Sequence, residues 1–351
     1  MSFRLFGQKH FLGIDIGTTS IKVVLLQKTN GKLELSNYGI LEKYGHLERL
    51  NDAIQTSDFK VLEESTALLL KKLLSQSKIG REKAYMALPG FASFVSLIEL
   101  PQMGNKEIVQ AIKYQAGQYI PMPLREVTLD WHLVETLGEK IKVLLVAIPT
   151  DTIGRYVKIT EMAQVNLQQL ELESIAVARL FGRKEKGTFA VVDIGGRTTS
   201  INIVDQGSLR LSHSIDTAGG DLTQVIASGL GIDPLRAEKI KRSYGLDLQN
   251  RGEVDVVRLL TPLLDVIKRE IEKAINNYYI QTKRTVGKVM FTGGGCVLPG
   301  LEEYYKKTLA LPAFRADPFN QGLIVYDPKL APLIKNVGPT LTTACAVVFK
   351  E

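Results

Sequence analysis

Two short segments carry residue types that could manage a dense anion: Asp15-Ile-Gly17-Thr18-Thr19, and Asp193-Ile-Gly195-Gly196-Arg197-Thr198-Thr199. A site without a large basic cluster must hold a triphosphate with backbone N–H groups exposed in tight glycine turns. Gly17, Gly195 and Gly196 supply such turns, and the hydroxyls of Thr18, Thr19, Thr198 and Thr199 add donors. Asp15 and Asp193 put negative charge where only a cation would justify it. Mg2+ resolves the conflict, because carboxylates, waters and phosphates bind it together. ATP with Mg2+ is the expected cofactor, with Asp15 and Asp193 holding the metal through water.

These residues need elements to position them. Phe11 to Leu26 and Phe189 to Val204 share one pattern: an apolar run ending at the aspartate, a polar turn, then a second β-branched run. The pattern predicts two β-hairpins and an internal duplication. Further on, Val289-Met-Phe-Thr292 leads into Gly293-Gly294-Gly295 and then Pro299-Gly300-Leu301, which reads as buried strand, glycine loop and helix. One Asp-x-Gly-x-Thr closes many ordinary hairpins; two copies followed by a glycine loop do not read as three ordinary turns.

Between the hairpins a different module begins near Lys83. Its pattern predicts strands over 84–88 and 93–100, then a helix over 106–119 with Ile108, Ile112, Gln115 and Tyr119 on one face. Strands over 127–135 and 141–148 and a helix over 150–164 follow, giving the order β-β-α-β-β-α. Phe59, Leu62, Leu69, Leu70, Leu73 and Leu74 predict an amphipathic helix packed on the first half's sheet. A long helix over 261–284 should face inward with Leu264, Ile267, Ile271, Ile275 and Tyr278. Gly219-Gly220-Asp221 opens another helical region.

Composition excludes several classes. The 351 residues leave room for two core-bearing domains. At 45% hydrophobic and 23% charged, the chain matches a soluble protein, and no segment reaches the ~18 apolar residues of a membrane span. Met1 to Phe6 is too short an apolar stretch for a signal peptide. Two cysteines, Cys296 and Cys345, make no disulfide framework and no zinc loop. The net charge of +7 is interleaved with acids, as in Lys268-Arg269-Glu270, so nucleic acid is not an expected partner.

The three glycine-bearing segments resemble the phosphate-1, phosphate-2 and adenosine motifs of the actin, hexokinase and heat-shock chaperone superfamily, over nearly the whole chain. The resemblance implies an α/β actin-like fold, duplicated and ribonuclease H-like, closing on ATP. It brings Lys22, Gly219, Gly220, Asp221, Gly293, Gly294, Gly295 and Pro299 into the candidate binding set. Glu238-Lys-Ile-Lys241-Arg242 is similar to the Glu-x-x-Lys-Arg helix of the heat-shock chaperones, which implies Glu238 and Lys241 beside the ribose and Arg242 beside the adenine. A surface ion pair is the alternative.

The module between the hairpins is similar to the subdomain found in the cell division protein FtsA and its relatives. That implies a first half of 1–83 with 166–182, an insert of 84–165, a second half of 183–218 with 286–351, and a helical subdomain of 219–285. Within that branch, Leu100-Pro101-Gln-Met103, Gln118-Tyr-Ile-Pro121-Met-Pro123-Leu124 and Leu129-Asp130 resemble the PilM family of type IV pilus assembly proteins. The resemblance implies an ATP- and Mg2+-loaded cytoplasmic scaffold at the inner face of the cytoplasmic membrane. It would capture the short cytoplasmic N-terminal peptide of the inner-membrane protein PilN in a groove beside the insert. Other pilus components and self-association stay open. Arg197 stands where hydrolysing relatives have a third glycine and Ser200 where many have an aspartate, and none of His10, His46, His132 and His213 lies in a motif. Weak or absent ATPase activity is therefore expected. A filament-forming division or shape protein and a small-molecule kinase of the sugar-kinase type are the rival readings.

Overall fold

The structure, a computed structural model, describes residues 10–42, 59–247 and 256–350, without the side chains of 59–62. Met1 to Phe6, His46, and the inward contacts expected of Phe59 and Leu62 lie outside the described residues. The chain forms β1 (His10–Ile16), β2 (Ser20–Thr29), β3 (Lys32–Glu42), α1 (Phe59–Gln76), β4 (Lys83–Leu88), β5 (Phe94–Pro101), α2 (Asn105–Gln115), β6 (Val127–Leu137), β7 (Lys140–Pro149) and α3 (Thr150–Met162). It continues with β8 (Asn166–Leu172), α4 (Glu173–Gly182), β9 (Thr188–Ile194), β10 (Thr199–Asp205), β11 (Ser208–Ile215), α5 (Gly219–Leu230), α6 (Pro234–Tyr244) and α7 (Val256–Thr282). Last come β12 (Val289–Thr292), α8 (Leu301–Thr308), β13 (Ala313–Arg315), β14 (Ile324–Val325), α9 (Ala331–Val337) and α10 (Thr342–Val348).

The duplication in sequence is a duplication in topology. The first sheet runs β14-β3-β2-β1-β4-β8 and the second β11-β10-β9-β12-β13. In each, a strand pairs antiparallel with its successor on one side and parallel with a later strand on the other: β1 with β2 and β4, β9 with β10 and β12. The central strands are apolar on both faces, as sheets covered on both sides require. On the first sheet α1 lays down Ala67, Leu70, Leu73 and Leu74. On the second, α7 lays down Leu264, Ile267, Ile271 and Tyr278, with Ile275 half-buried. Each such buried side chain contributes roughly 1.5–3 kcal/mol, which offsets the ~3 kcal/mol penalty of Pro262 inside that helix.

The insert has the expected element order, but its own sheet is smaller. β5-β7-β6 form the three-stranded sheet, whereas β4 pairs with β1 and β8 in the first sheet and α3 packs on α1. Ile108 and Ile112 of α2 face inward as expected; a 3-10 turn over Ala116–Gln118 then swings Tyr119 outward and buries Ala116 and Ile120 instead. The chain finally crosses back to the first sheet, where α10 packs on β1 and α4. The approach is so close that a Cβ on Gly13 would fall 1.9 Å from the Ala344 carbonyl oxygen. Cys296 and Cys345 are both buried, and among the described residues no helix is long and apolar enough to cross a membrane.

Candidate functional site

Open α/β sheets present their ligand sites at the carboxyl ends of the parallel strands. At that edge of the first sheet stand Asp15 of β1, the turn after β4, and Glu173, which opens α4 directly after β8; at that edge of the second stand Asp193 of β9 and Gly293 after β12. The two hairpin turns are built alike. Gly17 N–H donates to the Ser20 carbonyl at 2.9 Å, and Gly195 N–H to the Thr198 carbonyl at 3.0 Å. The tips touch: a Cβ on Gly196 would lie 2.1 Å from Thr19 Cγ2, so only glycine permits the approach.

Register decides the charges below the tips. Lys22 stands opposite Asp15, but Ser200 stands opposite Asp193, so the second aspartate brings no lysine of its own. Lys22 Nζ donates to Asp15 Oδ2 at 2.8 Å. Burial works against the Lys22 charge, yet Asp15, Asp193 and Glu173 outweigh it and hold its pKa above the ordinary lysine value. Burial pushes Asp193 up to about 6, against the pull of Lys22, and the Thr343 hydroxyl donates to it at 3.3 Å. Burial and the Asp193 charge push Glu173 up to about 8, although Gly90 N–H donates to it at 2.8 Å. Among the described residues, three acidic side chains thus face one ammonium.

Above this cluster opens a cavity of about 360 Å³, within the usual size of ligand pockets. Of the expected residues, Thr19, Lys22, Gly195, Gly196, Gly219, Gly220, Glu238, Lys241, Arg242, Gly294 and Gly295 line it. The others stand back. Asp15 lies beneath, behind Lys22, and Gly293 backs onto Asp193. Gly17 and Thr198 each close their own hairpin turn, with Ser20 and Gly195, Thr199 donates to the Thr217 carbonyl at 2.7 Å, and Asp221 caps α5 by accepting from Ala218 N–H at 2.8 Å. The Pro299 carbonyl accepts from Leu246 N–H at 2.7 Å, tying the glycine loop to the end of α6. Thr18 is not among the lining residues, and Arg197 turns away, its guanidinium 5.9 Å from the Phe91 ring at the entry to the insert. Gly219 and Gly220 spend their N–H groups on the carbonyls of Gly195 and Gly196, at 3.0 and 2.7 Å, bracing the second turn against α5.

The wall formed by α6 is a buried network rather than a surface ion pair. Glu238 and Lys241, each 9% exposed, meet at 2.6 Å. Lys241 Nζ also donates to the Gly219 carbonyl and to Thr223 Oγ1, both at 2.7 Å. Burial opposes the Glu238 charge, but Lys241, Thr223 and Arg242 bring its pKa down to about 2. Arg242 bonds Glu238 at 2.7 Å and reaches across to Glu42 of the first half at 2.8 Å. Glu42, Thr223, Leu298 and Asn336 line the cavity without having been expected there, and none carries a local motif. Glu173 was also missed; it stands directly after β8, the parallel neighbour of β4, and carries no local motif.

The arrangement can hold an anion over a carboxylate cluster that is short of positive charge. Among the described residues no three histidine, cysteine or carboxylate side chains converge to ligate an ion directly. A cation there would therefore complete its shell with water and ligand oxygens.

Comparison with known proteins places this geometry. The family model described as type IV pilus assembly protein PilM matches residues 13–350. The solved PilM-PilN type IV pilus biogenesis complex is similar with a TM-score of 0.82 and 22% identity, covering 97% of this chain and 98% of that chain. MreB 5 of Spiroplasma citri bound to AMPPNP is similar with a TM-score of 0.50 and 15% identity, covering 91% and 93%. The cell division protein FtsA of Staphylococcus epidermidis is 22% identical over 339 residues, covering 84% of this chain and 72% of that protein. The chain has the actin-like fold that these proteins share.

Proposed function

This chain belongs to the type IV pilus assembly protein PilM family, and from that premise we propose that it is a cytoplasmic Mg·ATP-binding scaffold of the pilus assembly platform, which captures the N-terminal peptide of a PilN-like membrane protein. One observation supports it above the rest: two copies of one hairpin meet tip to tip, with Lys22 the one ammonium, among the described residues, facing Asp15, Asp193 and Glu173 at the floor of a cavity. The residues present fit Mg2+, since the cluster has more acidic groups than positive charge and its acidic groups sit behind rather than in the cavity wall. Asp15 and Asp193 would hold the ion through water, and when bound it would offset the phosphate charge. The chain's own groups orient the nucleotide. Turns 17–20 and 195–198 offer N–H and hydroxyl donors to the phosphates, and the Glu238–Lys241–Arg242 wall offers acceptors and donors to the ribose and base.

The partner assignment is supported by family membership and by a neighbour that is itself a complex of PilM with PilN. Isothermal titration should show Mg·ATP binding, and a labelled N-terminal PilN peptide should bind the same sample. Normal ATP binding with no peptide binding would remove the partner and leave the nucleotide site standing.

A second reading, slow ATP turnover, is favoured by Glu173. Burial and the Asp193 charge raise its pKa to about 8, so the Glu173 carboxyl, held by Gly90 N–H, keeps its proton at neutral pH and becomes a base able to take one from water as pH rises through 8. Glu173→Gln should abolish whatever turnover the wild type shows while leaving ATP affinity nearly unchanged. Equal turnover in both would exclude the role.

A further inference from the structure

The insert is fastened to the second half by a lock built from two irregular strands. In β6 the pairing skips Val134, with Leu133 opposite Val143 and Glu135 opposite Lys142. In β11 it skips Arg210, with Leu211 opposite Ile203 and Leu209 opposite Val204. A bulge re-aims side chains, and these two, in different sheets, aim an acid and a base at each other. Glu135 Oε2 lies 3.2 Å from Arg210 Nη1, and Arg284, just beyond α7, bonds both Glu135 and Asp205. Asp205 is fixed in turn by the hydroxyls of Thr188 at 2.7 Å and Tyr278 at 3.0 Å. The side chains of Arg210 and Asp205 are only 3% and 2% exposed. Removing one member of so buried an ion cluster strands the others, which is the costly way to break it.

Around this lock β5, β6 and the turn at Gly90–Ala92 pack along β11, the edge strand of the second sheet. Two chain connections tie the insert to the first half, whose helix α4 also packs on β11. One runs through Pro89 into Gly90, whose N–H is held by Glu173; the other runs through Pro149 into α3, which packs on α1. Both prolines are extended, with ψ of 140° and 128°.

We propose that the insert moves as one body with the second half, turning on its connections at Pro89 and Pro149, so that opening or closing of the cleft changes the seam between the insert and the first half. The nucleotide dependence of this motion rests on the function proposed above; the mechanical union of insert and second half does not. It gives a partner bound beside the insert a way to sense the occupancy of the cleft without touching it.

Cysteines replacing Lys113 of α2, Asn276 of α7 and Lys72 of α1, all exposed, can be spin-labelled in pairs in the full chain, since Cys296 and Cys345 are buried. Double electron–electron resonance should give a narrow 113–276 distance that Mg·ATP leaves in place, and a 113–72 distance that Mg·ATP shifts. Glu135→Gln should broaden the 113–276 distribution without nucleotide. A 113–72 distance that holds while 113–276 shifts overturns the proposal, as does a 113–276 distribution indifferent to Glu135→Gln. The wild-type pair decides the matter even if the variant fails to fold. Titration of Mg·ATP into the same samples separates the two readings: absent binding sinks the nucleotide site, while the nucleotide-free comparison still tests the union.

Discussion

Asp193 and Glu173 share one difficulty, that of being largely buried acids with, among the described residues, one neighbouring ammonium, and it makes both responsive. Asp193→Ala should weaken Mg·ATP binding by at least about tenfold, or ~1.4 kcal/mol, because the phosphates lose a water-mediated metal partner in a desolvated cleft. Unchanged affinity in calorimetry would count against the metal assignment. Glu173 offers a check by pH. Its folded pKa of about 8 lies above the ordinary carboxylate value of 4.5, so between the two the folded chain holds a proton there that the unfolded chain releases. Its contribution to stability is fully present below 4.5 and lost as pH rises through 8, a change on the order of a few kcal/mol. Thermal unfolding of the nucleotide-free protein should show this decline, and Glu173→Gln should flatten it. The aspartates were legible because each sits in a motif a few residues long. Glu173 was not, since its place beside Asp193 comes from strand pairings between segments far apart in the chain.

At the scale of elements, helices and strands could be read because their periodicity is local. Their sheet membership could not. β4 and α3 read as parts of the insert because they adjoin it, yet pairing with β1 and packing on α1 draw them into the first half. The bulges at Val134 and Arg210 left no mark in the sequence beyond charged residues on otherwise alternating strands. The return of α10 was invisible for a similar reason, because Ala344 to Phe349 is an apolar run with no polar face to show which sheet it covers. Gly13→Ala tests that contact. The added methyl meets backbone rather than a yielding side chain, so a loss of about 1–3 kcal/mol, read as a lower unfolding midpoint, is expected.

For the whole molecule, the sequence repeat foretold two sheets of the same strand order because both halves had to build the same hairpin and add the same parallel strands. The insert can be tested as a unit. Phe94 and Ala147 are paired, so the ends of β5 and β7 are near enough for a short glycine-serine linker to replace residues 95–146. The shortened protein should keep measurable Mg·ATP binding and lose the PilN peptide. Peptide capture that survives the excision would move the partner elsewhere.

The crossing of α10 to the first sheet has a consequence for biosynthesis. Val24 and Leu26 are made long before Ala344 to Val348, which help to cover them. At the ~5–20 residues per second of translation, that apolar face waits on the order of tens of seconds for its lid. A ribosome-bound chain stalled short of α10 should accordingly recruit holding chaperones, and its release should coincide with emergence of α10.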